Sequence, residues 1–201
     1  MAAICSLENM SPEYPLITWA RENYAKPDQD FIDVGAHVGT WTLAFAKHTK
    51  RVFAFEPNRK PFTLLCAGVA LNQLSNVYPW PGALGSVNGV AGLKHVSADG
   101  GGNKIVPLNE ADEKVPISKL DGLDGLYSYN PSLVKIDVEG YELEVLKGME
   151  KVLTRARPHI IFEVNPGQEA LERDITNWLA GINYAVIKIS MYENMRLAHP
   201  K

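Results

Sequence analysis

Acidic residues stand at or near the ends of three apolar segments in this 201-residue sequence, and a glycine pair follows the first of them. Asp33 lies just before the turn from Gly35 to Gly39, and Glu56 and Asp137 close two later apolar runs. The carboxyl ends of parallel strands share one edge of a sheet, so these acids could surround one crevice. A carboxylate there can accept both hydroxyl hydrogens of a ribose, and glycines let the backbone approach a ligand closely. The pattern predicts a site for a nucleotide-like ligand.

The glycine turn itself discriminates between ligands. A dinucleotide site has Gly-x-Gly-x-x-Gly, whose middle glycine makes room for a pyrophosphate, whereas here His37 occupies that place. An adenosyl ligand with an amino-acid tail and no phosphate would tolerate the bulkier side chain. Two rival interpretations stay open: a nicotinamide-dependent oxidoreductase, and a binding module that keeps the turn and Glu56 but has no catalytic need for Asp137. Glu56 could also be a solvated acid at a strand end.

The composition indicates one globular domain, 1–201, with a substantial core. Hydrophobic residues make up 46% of the chain and charged residues 21%. A formal net charge of -3 gives no reason to expect a nucleic-acid partner. No apolar run approaches the length of a membrane span, and the start of the chain resembles neither a signal peptide nor an anchor, so no membrane partner is expected. Two cysteines without metal spacing favour a reduced, cytoplasmic location.

Alternating strand-like and helix-like segments predict a doubly wound α/β domain. Unbroken apolar runs, typical of strands covered on both faces, predict strands at about 30–34, 51–56, 76–80, 133–140, 159–164 and 184–189, with a short antiparallel strand returning at 196–198. Apolar periodicity and capping residues predict helices at about 11–26, 39–48, 59–73, 141–154 and 168–179. The first of these belongs to a helical lead-in, 1–28.

Residues 86–118 have little helical periodicity and include the glycine run from Asp99 to Asn103. The glycine run is not followed by the Lys-Ser/Thr pair of a phosphate-binding loop. We therefore expect a flexible loop or hairpin that acts as a lid over the site and shapes the acceptor pocket. A short strand is expected at 115–120 and turns at 121–125.

Four segments together resemble the FkbM family of S-adenosylmethionine-dependent methyltransferases. They are Phe-Ile-Asp-Val-Gly-Ala-His-Val-Gly at 31–39, Phe-Ala-Phe-Glu-Pro-Asn at 53–58, Ala-Leu-Gly at 83–85 and Lys-Ile-Asp-Val-Glu-Gly-Tyr-Glu-Leu-Glu-Val-Leu-Lys-Gly at 135–148. The glycine turn is shared by all class I methyltransferases, whereas the last segment is far more specific. One departure is visible, because His37 stands where the family usually has asparagine. The resemblance covers about residues 30–165.

This resemblance implies a Rossmann-like class I methyltransferase fold: a three-layer αβα domain whose mainly parallel seven-stranded sheet has an antiparallel last strand. It also implies S-adenosyl-L-methionine as the cofactor and a hydroxyl oxygen, often on a sugar or a polyketide-type product, as the methyl acceptor. Carried over to this sequence, Asp33, Gly35 and Gly39 would hold the methionine part of the cofactor. Glu56 would bind its ribose, and the backbone of Ala83 and Leu84 would lie near its adenine. The predicted cofactor site also includes His37, Thr40, Pro57 and Asp137.

Methyl transfer to an oxygen needs a group that takes the hydroxyl proton. By the resemblance, Asp137 and Glu139 flank the methyl group and the acceptor. Asp137 is the first candidate for the base, although it could instead orient the ammonium group of the cofactor. Glu139 could bind the acceptor hydroxyl or cap the following helix, and His95, in the predicted lid, is the third catalytic candidate. Asp137, Glu163 and Asn165 offer oxygen ligands that would suit Mg²⁺, unless Glu163 pairs with a base on a neighbouring loop.

The acceptor and the assembly stay open at the level of sequence. A small-molecule or glycan hydroxyl is expected, but no residue identifies it. Nothing in the sequence determines the oligomeric state. The short lead-in before the first strand leaves room for the chain to be one module of a larger protein.

Overall fold

A computed structural model describes residues 12–97 and 101–201 of the chain. Its main sheet has seven strands: β1 (Asp30–Val34), β2 (Arg51–Phe55), β3 (Val77–Trp80), β8 (Pro131–Ile136), β9 (His159–Glu163), β10 (Tyr184–Lys188) and β11 (Met195–Pro200). They lie in the order β10-β11-β9-β8-β1-β2-β3. Every residue of β1 and β8, the strands at the centre, is buried, which explains why most of their residues are apolar.

The last strand runs against the others. β1 pairs in parallel with both β2 and β8, and β8 pairs in parallel with β9. β11 inserts between β9 and β10 and is antiparallel to both. The sheet thus confirms the predicted mainly parallel topology with an antiparallel last strand, and the carboxyl ends of β1, β2 and β8 meet at one edge.

Helices cover both faces of the sheet. They are α1 (Tyr14–Tyr24), α2 (Thr40–Phe45), α3 (Arg59–Leu71), α4 (Leu120–Tyr127), α5 (Glu142–Gly148), α6 (Glu150–Ala156) and α7 (Glu169–Gly181). Side chains alternate along each strand, so one strand contributes to two cores. Ile32 of β1 belongs to a cluster with residues of α4 to α7, whereas its neighbour Phe31 belongs to a second cluster with residues of α1 and α2. The domain is a three-layer αβα structure, as predicted.

A second, smaller sheet occupies the region between β3 and α4. Its strands are β4 (Ala83–Leu84), β5 (Gly89–Lys94), β6 (Lys104–Val106) and β7 (Glu113–Ser118), in the order β4-β7-β5-β6. Residues 86–118 therefore contain more regular structure than the predicted loop or hairpin. Part of the glycine run, Asp99 and Gly100, lies outside the described residues. The role of this region as a lid stays a prediction.

The predictions for residues 121–125 and 141–154 were wrong. A contact between separate helices, which local sequence does not show, decides where one of these helices begins. The predicted turns at 121–125 form α4, and the predicted helix at 141–154 is two helices, α5 and α6, that meet at Met149. Asp121 of α4 accepts hydrogen bonds from the backbone N–H groups of Lys151 and Val152, at 3.0 and 3.1 Å. A carboxylate from a separate helix thus satisfies free donors in the first turn of α6, so a new helix can begin there.

The first helix starts later than predicted within the described residues. Residue 11, where it was expected to begin, lies outside them, and Glu13 stands at the cap position of α1. Within the described part of the chain, no helix has both the length and the apolar character needed to cross a membrane.

Candidate active site

A cavity of about 480 Å³ opens at the carboxyl edge of β1, β2 and β8. The residues that line it come from the N-terminal segment, the glycine turn, the tip of β2, the small sheet and the segment after β8. Nine predicted site residues are among them: Gly35, His37, Thr40, Glu56, Pro57, Ala83, Leu84, Asp137 and Glu139. The predicted edge of the sheet is therefore also the edge at which this cavity opens.

The turn after β1 brings two strand ends into close contact. Gly35 has φ +77°, and a Cβ atom there would lie 1.9 Å from the carbonyl oxygen of Asp137. The N–H groups of Gly35 and Ala36 both donate to the carbonyl of Phe55, at 2.9 and 3.1 Å. Only glycine fits here, since both the backbone angle and the neighbouring carbonyl exclude a side chain.

Glu56, at the tip of β2, is held by backbone donors on both oxygens. Its Oε2 accepts from the His37 N–H at 2.9 Å, and its Oε1 accepts from the Asn58 N–H at 2.8 Å. Burial raises the pKa of Glu56, and these two hydrogen bonds partly offset that rise. Each carboxylate oxygen has a second lone pair, so the fixed group can still accept the two hydroxyls of a ribose.

Lys135 lies between two acids in the centre of this edge. Its Nζ donates to the Gly35 carbonyl at 2.8 Å and lies 3.3 Å from Asp137 Oδ2 and 3.7 Å from Asp33 Oδ1. Burial lowers the pKa of Lys135, but Asp137 and Asp33 outweigh burial, so the net shift is upward and the side chain stays charged. The sequence interpretation gave Lys135 no role, although a lysine inside an apolar strand is the signal that could have singled it out.

Asp33 is placed behind the cavity wall. It is fully buried and accepts a hydrogen bond from the Thr42 hydroxyl at 2.6 Å. Burial raises its pKa, an effect that Lys135 partly offsets. Neither Asp33 nor Gly39 lines the cavity, so the roles predicted for them in holding the cofactor directly stay predictions.

Three carboxyl groups converge beyond the end of β8. Single oxygens of Asp137, Glu139 and Glu163 all lie within 4.8 Å of one another. Burial, followed by the charges of Asp137 and Glu139, raises the pKa of Glu163 to about 8. Burial and the charge of Asp137 also raise the pKa of Glu139. Glu163 therefore holds a proton near neutral pH.

The donor set of this acidic group suits a proton better than Mg²⁺. The side-chain nitrogen of Asn165 donates to Glu139 at 3.2 Å and to Glu163 at 2.9 Å, and that of Asn194 donates to Glu163 at 2.7 Å. A divalent cation would have to displace these donors and the proton of Glu163, with Lys135 already beside Asp137. Magnesium binding at Asp137, Glu163 and Asn165 stays a prediction. In the structure, the carboxyl group that joins those of Asp137 and Glu163 is that of Glu139.

The small sheet contributes the apolar part of the cavity wall. Leu93 of β5 and Ile105 of β6 line the cavity together with Gly102, and a Cβ atom on Gly102 would lie 3.8 Å from Glu139 Oε1. His95 points elsewhere: its Nε2 lies 3.5 Å from Glu113, and its backbone N–H donates to Asp112. The predicted catalytic role of His95 stays untested, and the cavity-lining residues do not include it.

Comparison with known proteins places this fold in a class. The methyltransferase FkbM of Methylobacillus flagellatus KT superimposes with a TM-score of 0.65 at 15% identity, over 98% of this chain and 58% of that chain. A Streptococcus mutans protein in complex with SAH gives a TM-score of 0.58 at 10% identity, over 94% of this chain and 96% of that chain. The fold is that of the class I methyltransferases.

The family is defined by sequence similarity. A model of the methyltransferase FkbM domain matches residues 33–186, and the chain belongs to that family. The hexuronic acid methyltransferase AglP of Haloferax volcanii is 30% identical over an alignment of 166 residues, and the match covers 78% of this chain and 63% of that protein. The chain thus spans less than two thirds of AglP and of the Methylobacillus protein. The predicted fold class and family are confirmed.

Proposed function

We propose that this chain transfers a methyl group from S-adenosylmethionine to a hydroxyl oxygen of a sugar or glycan. The observation that carries the proposal is the position of Glu56, fixed by two backbone N–H groups, in the same cavity as the Gly35 turn and Glu139. Membership of the FkbM family supports methyl transfer, and the similarity to a hexuronic acid methyltransferase supports a sugar hydroxyl as the acceptor.

The residues at the glycine turn fit an adenosyl sulfonium donor. Glu56 accepts the ribose hydroxyls, Gly35 lets the backbone approach the ligand, and Ala83 and Leu84 provide an apolar wall for the adenine. S-adenosylmethionine supplies, when bound, a methyl group on a positively charged sulfur that is ready for in-line displacement. Gly35, Glu56, Ala83 and Leu84, with the loop that carries His37, form the donor half of the cavity.

Two carboxylates can act on the acceptor. Glu139 lines the cavity, and its raised pKa makes it a stronger base than an ordinary carboxylate, so it takes the hydroxyl proton. Its backbone has φ +56°, an unfavourable angle for a side-chain-bearing residue of the kind that is concentrated at functional sites. Asp137, fixed beside Lys135, orients the reacting groups. Glu139, Leu93, Gly102 and Ile105 form the acceptor half of the cavity.

A product assay tests this function directly. The protein is incubated with S-adenosylmethionine carrying a labelled methyl group and a panel of glycans, with and without hexuronic acids, and products are identified by mass. We expect a mass gain of one methyl on a hydroxyl-bearing acceptor, unchanged after treatment with a chelator. A chelator-sensitive reaction would favour the magnesium hypothesis.

Two further measurements separate the rival functions. A titration with nicotinamide cofactors and with S-adenosylhomocysteine would support an oxidoreductase if only the nicotinamide bound. Binding of S-adenosylhomocysteine without methylation of any acceptor in a broad panel would favour a binding module.

A further inference from the structure

The N-terminal segment reaches the donor half of the cavity from outside the region matched by the family model. Pro12 and Glu13 line the cavity beside Thr40 and Trp41, whereas the family match begins at residue 33. No sequence motif pointed to Glu13, which the sequence shows only as an acid before a helix. Its place in the cavity is a product of tertiary structure.

Two contacts to distant parts of the chain hold this segment in place. The indole Nε1 of Trp41 donates to Glu13 Oε2 at 2.9 Å. The hydroxyl of Tyr192 donates to the Pro12 carbonyl at 2.6 Å. The N–H of Ile17 donates to the Glu13 carbonyl at 2.9 Å and so begins the first turn of α1. The carboxylate of Glu13 is therefore a positioned group rather than a solvated one.

The charges near Glu13 favour a cationic ligand group. Glu13 acts electrostatically on both Lys135 and Asp33, so these groups share one field. Three carboxyl groups, those of Glu13, Asp33 and Asp137, surround the single cation Lys135, and Asp33 is behind the wall, bonded to Thr42. Glu13 is thus the carboxylate that reaches the cavity on the Trp41 side of the glycine turn. S-adenosylmethionine has an α-ammonium group in the tail that the turn would hold.

We propose that Glu13 is the carboxylate that receives the α-ammonium group of the methyl donor. The inference rests on the proposed function, because it assumes S-adenosylmethionine as the donor. It makes the N-terminal segment part of the donor site and gives Glu13 the contact with the ammonium group that the sequence left open for Asp137.

A binding experiment with paired ligands and paired variants tests this contact. The ligands are S-adenosylhomocysteine, the same molecule with hydrogen in place of its α-amino group, and 5′-methylthioadenosine, which lacks the whole amino-acid part. The variants are Glu13→Gln, which keeps an oxygen acceptor for Trp41, and Glu22→Gln, a control at an exposed position of the same helix. Affinities are measured by calorimetry.

We expect the wild-type protein to bind S-adenosylhomocysteine about tenfold more tightly than its deamino analogue, as a charge-assisted hydrogen bond allows. Removal of the ligand's amino group and removal of the Glu13 carboxylate abolish the same contact. Glu13→Gln should therefore reduce this ratio to about one and leave the affinity for 5′-methylthioadenosine within about twofold of wild type. Glu22→Gln should keep the wild-type ratio.

Three results would overturn the assignment. They are equal affinities of the wild type for the two tailed ligands, an unchanged ratio in Glu13→Gln, and an equal loss of all three ligands, which would mean that Glu13 only shapes the wall. If Glu13→Gln does not fold, Glu13→Asp keeps the charge and should give an intermediate ratio. A wild-type protein that binds none of the ligands would instead refute the proposed function itself.

Discussion

Glu56 and Glu139 line the same cavity but are held in different ways. Glu56, in the donor half, is 7% exposed, and both of its oxygens accept backbone N–H groups. Glu139, in the acceptor half, is partly exposed and accepts a hydrogen bond from a side-chain amide, that of Asn165, at 3.2 Å. The backbone donors, in the glycine turn and at the start of α3, are fixed by the chain path, whereas side-chain donors depend on rotamers. The donor half is thus preorganised by the fold, and the acceptor half is built from replaceable side chains.

The surroundings of the two halves show the same difference. The donor half follows the ends of β1 and β2, whose pairing runs without a break from Asp30↔Arg51 to Val34↔Phe55. The acceptor half takes its apolar wall from β5 and β6 of the small sheet, where Val90 is 58% exposed and Val96, just beyond β5, is 61% exposed. A scaffold that keeps the donor site, including β4, constant and varies β5 and β6 can change its acceptor without loss of cofactor binding.

Replacement of Glu139 should give the largest effect and should confine it to the acceptor half. We expect Glu139→Gln to lower kcat by roughly 100-fold or more, the usual contribution of a general base, with S-adenosylhomocysteine affinity within about twofold of wild type. Turnover of the methylated product and calorimetric binding measure the two quantities. Equal losses in both would show that Glu139 belongs to the donor half.

Gly35→Ala should damage the donor half through its backbone. The new Cβ would meet the Asp137 carbonyl at 1.9 Å in a conformation with φ +77°, so we expect the free energy of unfolding to fall by about 3 kcal/mol or more. Urea denaturation measures the loss. Gly181→Ala, at the end of α7 with open space around the new atom, is the control and should stay within about 1 kcal/mol of wild type. A mild effect of Gly35→Ala would mean that the turn can rearrange.

Glu56→Gln should weaken the donor through its ribose. Its amide would face the His37 or Asn58 N–H with a donor instead of an acceptor, and the charge that binds the hydroxyls would be lost. We expect roughly 10- to 100-fold weaker binding of both S-adenosylhomocysteine and 5′-methylthioadenosine, since both keep the ribose. Glu13→Gln, in contrast, should spare the second ligand. Selective loss of the tailed ligand in Glu56→Gln would contradict the ribose assignment.

The proton of Glu163 should make stability depend on pH, with the smallest effect. The pKa of Glu163 rises from 4.5 to about 8 on folding, so the folded protein holds this proton more tightly than the unfolded chain. The resulting stability is fully present below about pH 4.5 and is lost as the pH rises through about 8. Partial exposure reduces the effect to about 1–2 kcal/mol.

Glu163→Gln checks this dependence, because the amide keeps the shape of the neutral acid and cannot titrate. Urea unfolding at pH 5, 7 and 9 should show the wild type losing stability relative to Glu163→Gln as the pH rises. Glu22→Gln should follow the wild type. Parallel curves for the wild type and Glu163→Gln would show that Glu163 is already ionised in the folded protein.

The main sheet and the donor half were predictable because their signals are local. An unbroken apolar run, a glycine that must adopt a positive φ and an acid at the next strand tip are short patterns, and each has one straightforward structural solution. Gly35 and Glu56 therefore stand where the sequence placed them. The helix boundaries around Met149 were not predictable, because the cap of α6 is Asp121 of another helix.

What the sequence determined by itself was the family, the mainly parallel sheet with an antiparallel last strand, and the residues at three strand ends. Only the tertiary structure decided which charges meet. Lys135 and the Gly35 carbonyl are 100 residues apart in the chain, and Glu13 and Trp41 are 28 apart. Such contacts depend on how strands and helices pack, which no local pattern records, and they decide that Asp33 is buried while Glu13 reaches the cavity.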